Sequence, residues 1–226
     1  MNMRWQARWL SLLGHIQIVS TDNAVNHLLD SLSKPIDCQV LAFVNAHALN
    51  SAAESLEFYE ALRAADTVVR DGSGMALLYR MLKMKPGLNL NGTDLIPKII
   101  GRFNGRPIAI FGTREPFLSK SAQVIVQTLA RESEIEVADG FSPVSAYVEL
   151  ARVQQPALIV LGMGMPKQEL VASELRASLN FPCLIVCGGA IVDFLGGKAR
   201  RAPKLFRMSG LEWLFRLMLE PRRLFV

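Results

Sequence analysis

The feature of this sequence that most constrains its fold is a regular alternation of short apolar runs with longer segments of helical period. Several of the runs, such as residues 157–161, are apolar throughout, which is typical of parallel strands covered by helices on both faces. The runs predict strands at residues 40–44, 67–70, 107–112, 135–138, 157–162 and 184–187. The segments between them predict helices at residues 23–31, 47–64, 75–81, 93–103, 116–131, 144–154 and 167–179. The sequence therefore predicts an α/β fold, a Rossmann-like parallel sheet with helices on both faces.

The composition is that of a folded globular protein and excludes the disordered and fibrous classes. The chain has 226 residues, of which 50% are hydrophobic and 20% charged, enough for one sizeable core. No run of about 18 apolar residues occurs, so we predict no membrane-spanning helix. The apolar run at residues 9–13 is too short for a signal peptide. The three cysteines lie in apolar stretches, which favours reduced thiols in the core of a cytoplasmic protein.

Positive charge is concentrated near the C-terminus. The net charge of the chain is +5, but residues 198–226 alone carry eight basic and two acidic residues, a net +6. No linker is visible before Gly196, so we predict a body at residues 1–196 and a short basic amphipathic appendage at residues 197–226. Apolar residues at helical spacing in the appendage either pack against the body or lie on an anionic membrane surface, and the clustered charge favours the membrane. This local charge does not indicate nucleic-acid binding.

The loops that follow the predicted strands are the places to look for chemistry, because ligands bind at the carboxyl ends of parallel strands. The loop from Gly162 to Glu169 joins a buried strand to a helix, and its glycines and free backbone N–H groups suit a nucleotide diphosphate. The alternative is that the glycines only make a tight turn, with Glu169 complementing the helix dipole. The loop is neither a Walker A motif nor a complete Gly-x-Gly-x-x-Gly fingerprint.

Two polar residues end predicted strands and are candidates for catalysis. Asp71 can accept a proton from an attacking hydroxyl, or it can cap the next helix. Asn45 can hold a sugar hydroxyl or close a turn. Asp193, after the glycine turn at residues 188–189, can contact a ligand or fix the local backbone. His47 lies in the first turn of a predicted helix and is not assigned a role as a base.

Several motifs occur together in a fixed order along most of the chain. They are Asn45-Ala46-His47, Asp71-Gly72-Ser73-Gly74, Gly92-Thr93-Asp94-Leu95, the loop Gly162 to Glu169, Gly188-Gly189 with Asp193, Arg201-Ala202-Pro203, Gly210-Leu211-Glu212-Trp213, and Glu220-Pro221-Arg222-Arg223. Each motif alone is weakly specific, but the ordered set is highly specific. The sequence resembles the WecG/TagA/CpsF glycosyltransferases of bacterial surface-polysaccharide synthesis.

The resemblance implies an inverting transfer without a metal or cofactor, from a UDP-sugar to an undecaprenyl-diphosphate-linked saccharide. It implies that Asp71 is the general base and that Asn45 positions substrate. Together with the loop positions, it assigns substrate binding to Gly112, Gly162, Gly164, Lys167, Gln168, Gly188, Gly189 and Asp193. The basic appendage would meet the acceptor diphosphate and the membrane through Arg200, Arg201, Arg207, Arg216, Arg222 and Arg223. The expected location is the inner face of the cytoplasmic membrane, with a homo-oligomer possible.

Two departures from the family pattern bear on donor choice. Phe43 stands where members often have a small hydroxyl residue, and Leu88-Asn89 stands where they commonly have Glu-Arg. Asn89 thus replaces an arginine, a cation that could bind the donor phosphate. A glucose-type or uronic donor is therefore an alternative to N-acetylmannosamine. Two other classes remain as alternatives. One is a non-catalytic membrane adaptor that binds nucleotide sugars, and the other is an NAD-dependent oxidoreductase.

Overall fold

The computed structural model describes residues 4–199, 202–203 and 206. In this part of the chain six strands form one all-parallel sheet in the order β2-β1-β6-β5-β3-β4. The strands are β1 (Cys38–Val44), β2 (Thr67–Arg70), β3 (Ile108–Gly112), β4 (Ile135–Ala138), β5 (Leu158–Gly162) and β6 (Cys183–Cys187). All six predicted strands are present, and their bounds differ from the prediction by two residues at most.

The helices pack on both faces of the sheet. They are α1 (Trp5–His15), α2 (Asp22–Leu32), α3 (Ala46–Glu54), α4 (Leu56–Ala64), α5 (Ser73–Met81), α6 (Gly92–Arg102), α7 (Phe117–Thr128), α8 (Val144–Gln154), α9 (Lys167–Ser178) and α10 (Ile191–Leu195). One buried apolar cluster joins the sheet to α1, α3, α4, α5, α8 and α9. A second joins it to α2, α6, α7 and α10. The predicted Rossmann-like architecture is confirmed.

The single helix predicted for residues 47–64 is two helices. The break is at Ser55, whose φ of −111° and ψ of 118° are extended. Its N–H donates to the carbonyl of Ser51 and so ends α3, while its hydroxyl accepts from the N–H of Phe58 at 3.1 Å and so begins α4. A serine that caps a helix at its N-terminus offers the backbone an alternative to continuing the preceding turn.

Two helices of the structure were absent from the prediction. In α1 only Leu12 and Leu13 are fully buried, so its apolar period is weak in the sequence. A tertiary contact with α3 stabilises the helix: the indole N–H of Trp9 donates to the carbonyl of Leu49 at 2.7 Å. The five-residue α10 is too short to show a period of 3.6 residues.

The predicted C-terminal appendage lies largely outside the described residues. Only residues 197–199, 202–203 and 206 of it are described, so the division at residue 196 stays a prediction. The six arginines assigned to the acceptor and the membrane lie outside the described residues: Arg200, Arg201, Arg207, Arg216, Arg222 and Arg223. Among the helices that the structure does describe, none combines the length and the hydrophobicity needed to cross a bilayer.

Strand order places a crevice at the carboxyl edge of the sheet. The neighbouring strands β1 and β6 are followed by α3 and α10, and these two helices pack on opposite faces. The loops after β1 and β6 therefore run toward opposite faces of the sheet and leave a gap between them. In doubly wound folds ligands bind in such a gap.

Candidate active site

A pocket lies in this crevice and is built from loops that are far apart in the sequence. Its lining is Phe43, Asn45, Asp71, Gly92, Thr93, Met165, Gln168, Cys187, Gly188, Gly189 and Ala190. We call this set the carboxyl-end pocket. Five of the predicted site residues meet there, namely Asn45, Asp71, Gln168, Gly188 and Gly189. Asn45, Asp71 and the glycine pair directly follow β1, β2 and β6, and Gln168 lies in the first turn of α9, the helix after β5.

Asp71 follows the last residue of β2 and is fixed at its backbone. Its N–H donates to the carbonyl of Val44 at 2.9 Å, which continues the pairing of β2 with β1. The N-cap of α5 is the next residue, Gly72, with a φ of 88° and no capping side chain. Asp71 is therefore not the N-cap residue that the alternative interpretation made it, and it contributes to the lining of the carboxyl-end pocket.

The Arg70 side chain supports the loop that carries Asp71. It is 3% exposed, and its guanidinium donates to the carbonyls of Gly72, Pro86 and Gly87 at 2.7, 2.8 and 3.3 Å. Burial lowers the pKa of this guanidinium, but three carbonyl acceptors compensate for the water that it loses. The segment at residues 86–87 is thereby tied to the end of β2.

Asn45 is the N-cap residue of α3. Its Oδ1 accepts from the N–H of Ala48 at 2.9 Å, so the turn-closing role considered for this residue is present. That bond engages only the oxygen of the amide. The Nδ2 atom is the part of this side chain that can donate to a sugar hydroxyl in the carboxyl-end pocket.

Gln168 links two loops of the pocket. Its side chain is fully buried, and its Oε1 accepts from the N–H of Gly164 at 3.2 Å and the N–H of Gly189 at 2.9 Å. Its Nε2 donates to Oε1 of Glu169 at 2.8 Å. One amide thus fixes the loop after β5 to the loop after β6, which makes Gln168 a positioning residue as well as part of the pocket lining.

Glu169 is buried behind the pocket, contrary to the expectation that it only complements the helix dipole. It is 2% exposed, and its Oε2 has no hydrogen-bond partner among the described residues. Burial raises the pKa of Glu169 from its ordinary 4.5 to about 7. Burial also raises the pKa of Cys187, and the Glu169 charge raises it further. A carboxyl group in such surroundings favours its neutral form.

A second polar cluster lies beside the pocket, at the carboxyl end of β3. Oδ1 of Asp193 accepts from the Thr113 hydroxyl at 2.6 Å and from the Lys198 ammonium at 2.9 Å, and the ammonium also donates to the Thr113 hydroxyl at 3.1 Å. Asp193 was predicted, whereas Thr113 and Lys198 were not assigned. Thr113 is next to the predicted Gly112, but only the fold shows that it meets the other two.

Comparison with known families decides the class of chemistry. The model of the glycosyl transferase WecG/TagA/CpsF family matches residues 11–226. The chain belongs to this family. The protein is therefore a glycosyltransferase, an enzyme that takes a nucleotide-sugar donor and a saccharide acceptor. The predicted resemblance and the predicted transferase class are confirmed, and the family gives no support to the oxidoreductase alternative.

Two of the glycines that we assigned to substrate binding in this glycosyltransferase are needed for packing. A Cβ atom on Gly112 would lie 2.5 Å from the carbonyl of Gly162, and one on Gly162 would lie 2.4 Å from a methyl carbon of Val192. Gly164 and Gly189 differ, since their φ values of 79° and 54° favour glycine and nothing lies within 4 Å of an added Cβ. The open pair is free to approach a ligand. Ligand contacts of Gly112, Gly162 and Gly164 stay predictions.

Lys167 also lies outside the lining of the carboxyl-end pocket. Its ammonium donates to the carbonyl of Gly140 at 2.8 Å, which ties the start of α9 to the loop after β4. Binding of donor phosphate by Lys167 stays a prediction.

Replacement of Gly112 with Ala is expected to lower the free energy of unfolding by roughly 1–3 kcal/mol, because the added methyl overlaps backbone atoms that cannot turn away. The measurement is urea unfolding followed by circular dichroism. Gly14 is the matched control: it lies in α1, and nothing is within 4 Å of an added Cβ. Gly14→Ala should leave stability unchanged or raise it. Equal stability of the two variants would contradict the packing role.

The Glu169→Gln variant is expected to be more stable than the wild type at pH 8. The Glu169 carboxyl binds its proton more tightly in the folded state than in the unfolded chain. The free energy of unfolding of the wild type is therefore highest below about pH 4.5, falls as the pH rises to about 7, and stays at the lower value above that pH. Between these two limits the free energy of unfolding falls by roughly 3 kcal/mol. Melting temperatures at pH 5 and pH 8 test this. The control is Glu174→Gln, at an exposed position of α9. A Glu169→Gln advantage at pH 8 no larger than at pH 5 would contradict the buried-charge account.

Proposed function

We propose that this glycosyltransferase moves a hexose or an N-acetylhexosamine from a UDP-sugar to an undecaprenyl-diphosphate-linked saccharide in the synthesis of exopolysaccharide or another cell-surface polysaccharide. The observation that carries the proposal is the convergence of one carboxylate, two amide side chains and the glycine pair at residues 188–189 in the carboxyl-end pocket. A carboxylate beside amide donors suits a hydroxyl nucleophile, and open glycine loops suit a diphosphate leaving group.

The proposed reaction is a single displacement at the anomeric carbon of the donor. The acceptor hydroxyl forms the new bond to this carbon, its proton passes to the Asp71 carboxylate, and the bond to the UDP oxygen breaks. Attack on the face opposite to UDP inverts the anomeric centre. Asn45 and Gln168 line the same pocket, and Asn45 Nδ2 can donate to a hydroxyl of the sugar.

The donor is proposed to extend from the pocket toward the cluster of Thr113, Asp193 and Lys198. Strand β5 lies between β6 and β3 in the sheet, so the loop after β5 and the first turn of α9 lie between the pocket and this cluster, and a helix N-terminus favours a negatively charged group. The Lys167 ammonium is in the first turn of α9, and the Lys198 ammonium is ion-paired with Asp193 in the cluster. These features support binding of the nucleotide diphosphate at this edge of the sheet.

The surroundings of Asp71 support a choice of donor wider than N-acetylmannosamine. Phe43 lines the pocket. Asn89 uses its Oδ1 to accept from the N–H of Gly72 at 2.8 Å, so in this enzyme the position fixes the loop of Asp71. We therefore propose glucose-type and uronic sugars as donor candidates beside the N-acetylmannosamine type.

The acceptor proposal includes a peripheral location at the inner face of the cytoplasmic membrane. It is supported by the net +6 charge of residues 198–226, because clustered basic residues are attracted to anionic lipids and to diphosphates. Oligomerisation is a further proposal, which light scattering with and without anionic liposomes tests.

The test of the proposed function follows the sugar itself. The enzyme is incubated with a UDP-sugar labelled in the sugar and with a polyprenyl-diphosphate disaccharide in detergent. We expect label in the lipid product, with the anomeric configuration opposite to that of the donor by NMR. Binding of UDP with no label in lipid for any donor would favour the adaptor alternative, and binding of NADH but not of UDP would favour the oxidoreductase.

A further inference from the structure

An exposed apolar and basic segment covers the last two residues of α5 and the turn that follows the helix. All six residues at positions 80–85 are exposed; they are Arg80, Met81, Leu82, Lys83, Met84 and Lys85. Three are large and apolar, three are basic, and no acidic residue occurs between Asp71 and Asp94. We call these six residues the 80–85 segment. Its apolar side chains are 73%, 44% and 44% exposed at Met81, Leu82 and Met84.

Both ends of the segment are anchored. Before it, the buried Tyr79 donates its hydroxyl to the carbonyl of Leu13 at 3.0 Å. After it, the carbonyls of Pro86 and Gly87 accept from the buried Arg70 guanidinium. Within it, the N–H of Met84 donates to the Tyr79 carbonyl at 2.8 Å. The exposed side chains are therefore presented on a defined turn.

The composition of the segment selects one class of partner. Exposed apolar side chains grouped in one place mark an interaction surface. Apolar groups interleaved with cations, and with no acidic residue among them, suit the boundary of an anionic bilayer, where the apolar groups enter the acyl region and the cations meet the headgroups. Each basic residue held near such a surface strengthens binding by roughly fivefold. The charge is local, because residues 1–197 together carry a net charge of −1.

We propose that the 80–85 segment is a membrane-contact surface of the body, separate from the C-terminal residues, and that it docks on an anionic lipid bilayer. The turn that anchors it is connected to the Asp71 loop, since Arg70 also donates to the Gly72 carbonyl and Gly72 donates to Asn89. Docking through this segment holds the mouth of the carboxyl-end pocket near the bilayer. This last step rests on the proposed function, which places the acceptor in the membrane.

The test is sedimentation of the full chain with vesicles of phosphatidylcholine and phosphatidylglycerol, and with vesicles of phosphatidylcholine alone. The variants are Met84→Glu and Lys85→Glu. Their matched controls are Ile36→Glu and Lys34→Glu, which change an exposed apolar residue, 85% exposed at Ile36, and an exposed lysine in the loop before β1. We expect the segment variants to bind anionic vesicles about tenfold more weakly than the wild type, and the controls to bind within twofold of it.

The outcomes separate this proposal from the proposed function. Vesicle binding needs neither donor nor acceptor, and we expect UDP release with a detergent-dispersed acceptor to be unchanged in Met84→Glu. Wild-type vesicle binding in both segment variants, or no vesicle binding by the wild type, would overturn the membrane contact. A change in oligomeric state by light scattering, with vesicle binding retained, would instead make the segment an interface between copies and would also overturn it.

Discussion

Replacement of Asp71 with Asn is expected to lower kcat by about 10²–10⁴-fold, the usual contribution of a general base, and to change KM for the donor by less than about threefold. Asn keeps the shape of the side chain but cannot take up the proton of the acceptor hydroxyl. The backbone bond from Asp71 to Val44 does not depend on the side chain, so the pocket should keep its form. Steady-state kinetics of UDP release measure both constants.

The matched control for this variant is Asp30→Asn, which also turns a carboxylate into an amide. Asp30 is an exposed residue of α2 and is ion-paired with Arg102 on the surface, where a pair contributes little to stability. Wild-type kcat is expected for the control. A kcat for Asp71→Asn near that of the control would remove Asp71 from the mechanism.

The second large effect is expected for Gln168→Ala, which should lower both kcat/KM and stability. The substitution leaves the N–H groups of Gly164 and Gly189 and one oxygen of Glu169 without their present partner. The unpaired oxygen belongs to the buried Glu169, and a buried polar group left unpaired costs roughly 1–3 kcal/mol. A fall in melting temperature on the order of 10 °C is expected, and a kcat/KM at least about 30-fold lower, since a loosened loop holds the donor less well.

Thermal unfolding and initial-rate kinetics of the same preparation test this prediction. The control is Gln123→Ala, at an exposed position of α7, for which both quantities should stay near the wild-type values. An unchanged melting temperature with a lowered kcat/KM would assign Gln168 to ligand contact alone. Wild-type values of both quantities in Gln168→Ala would contradict its place in the pocket.

The sheet could be predicted because its strands are buried on both faces. All five residues of β5 are apolar or glycine and buried. A short apolar run that stands between a turn and an amphipathic helix is typical of a strand covered on both faces. Asp71 and Asn45 could be found for a related reason, since the carboxyl ends of parallel strands meet at one edge. Sequence position thus placed the side chains of Asp71, Asn45 and Gln168 at the same edge of the sheet.

The contacts that depend on tertiary packing could not be predicted from the sequence. A glutamate in the first turn of a helix is typical of a solvated residue that complements the dipole, and only the packing of α9 on the sheet buries Glu169. Thr113 and Asp193 are 80 positions apart. Gly112 and Gly162 fit a phosphate loop by spacing, whereas the close approach of β3 and β5 shows their packing role.

In the proposed reaction a sugar passes from a UDP donor to a lipid-linked saccharide with Asp71 as the base. The most direct test is release of UDP from a panel of UDP-sugars, with and without a polyprenyl-diphosphate disaccharide in detergent, by the wild type and by Asp71→Asn. We predict release that depends on the acceptor, occurs with one type of donor sugar, and is nearly abolished in the variant. Release by the folded wild type that is independent of the acceptor, or the same in Asp71→Asn, would contradict the account.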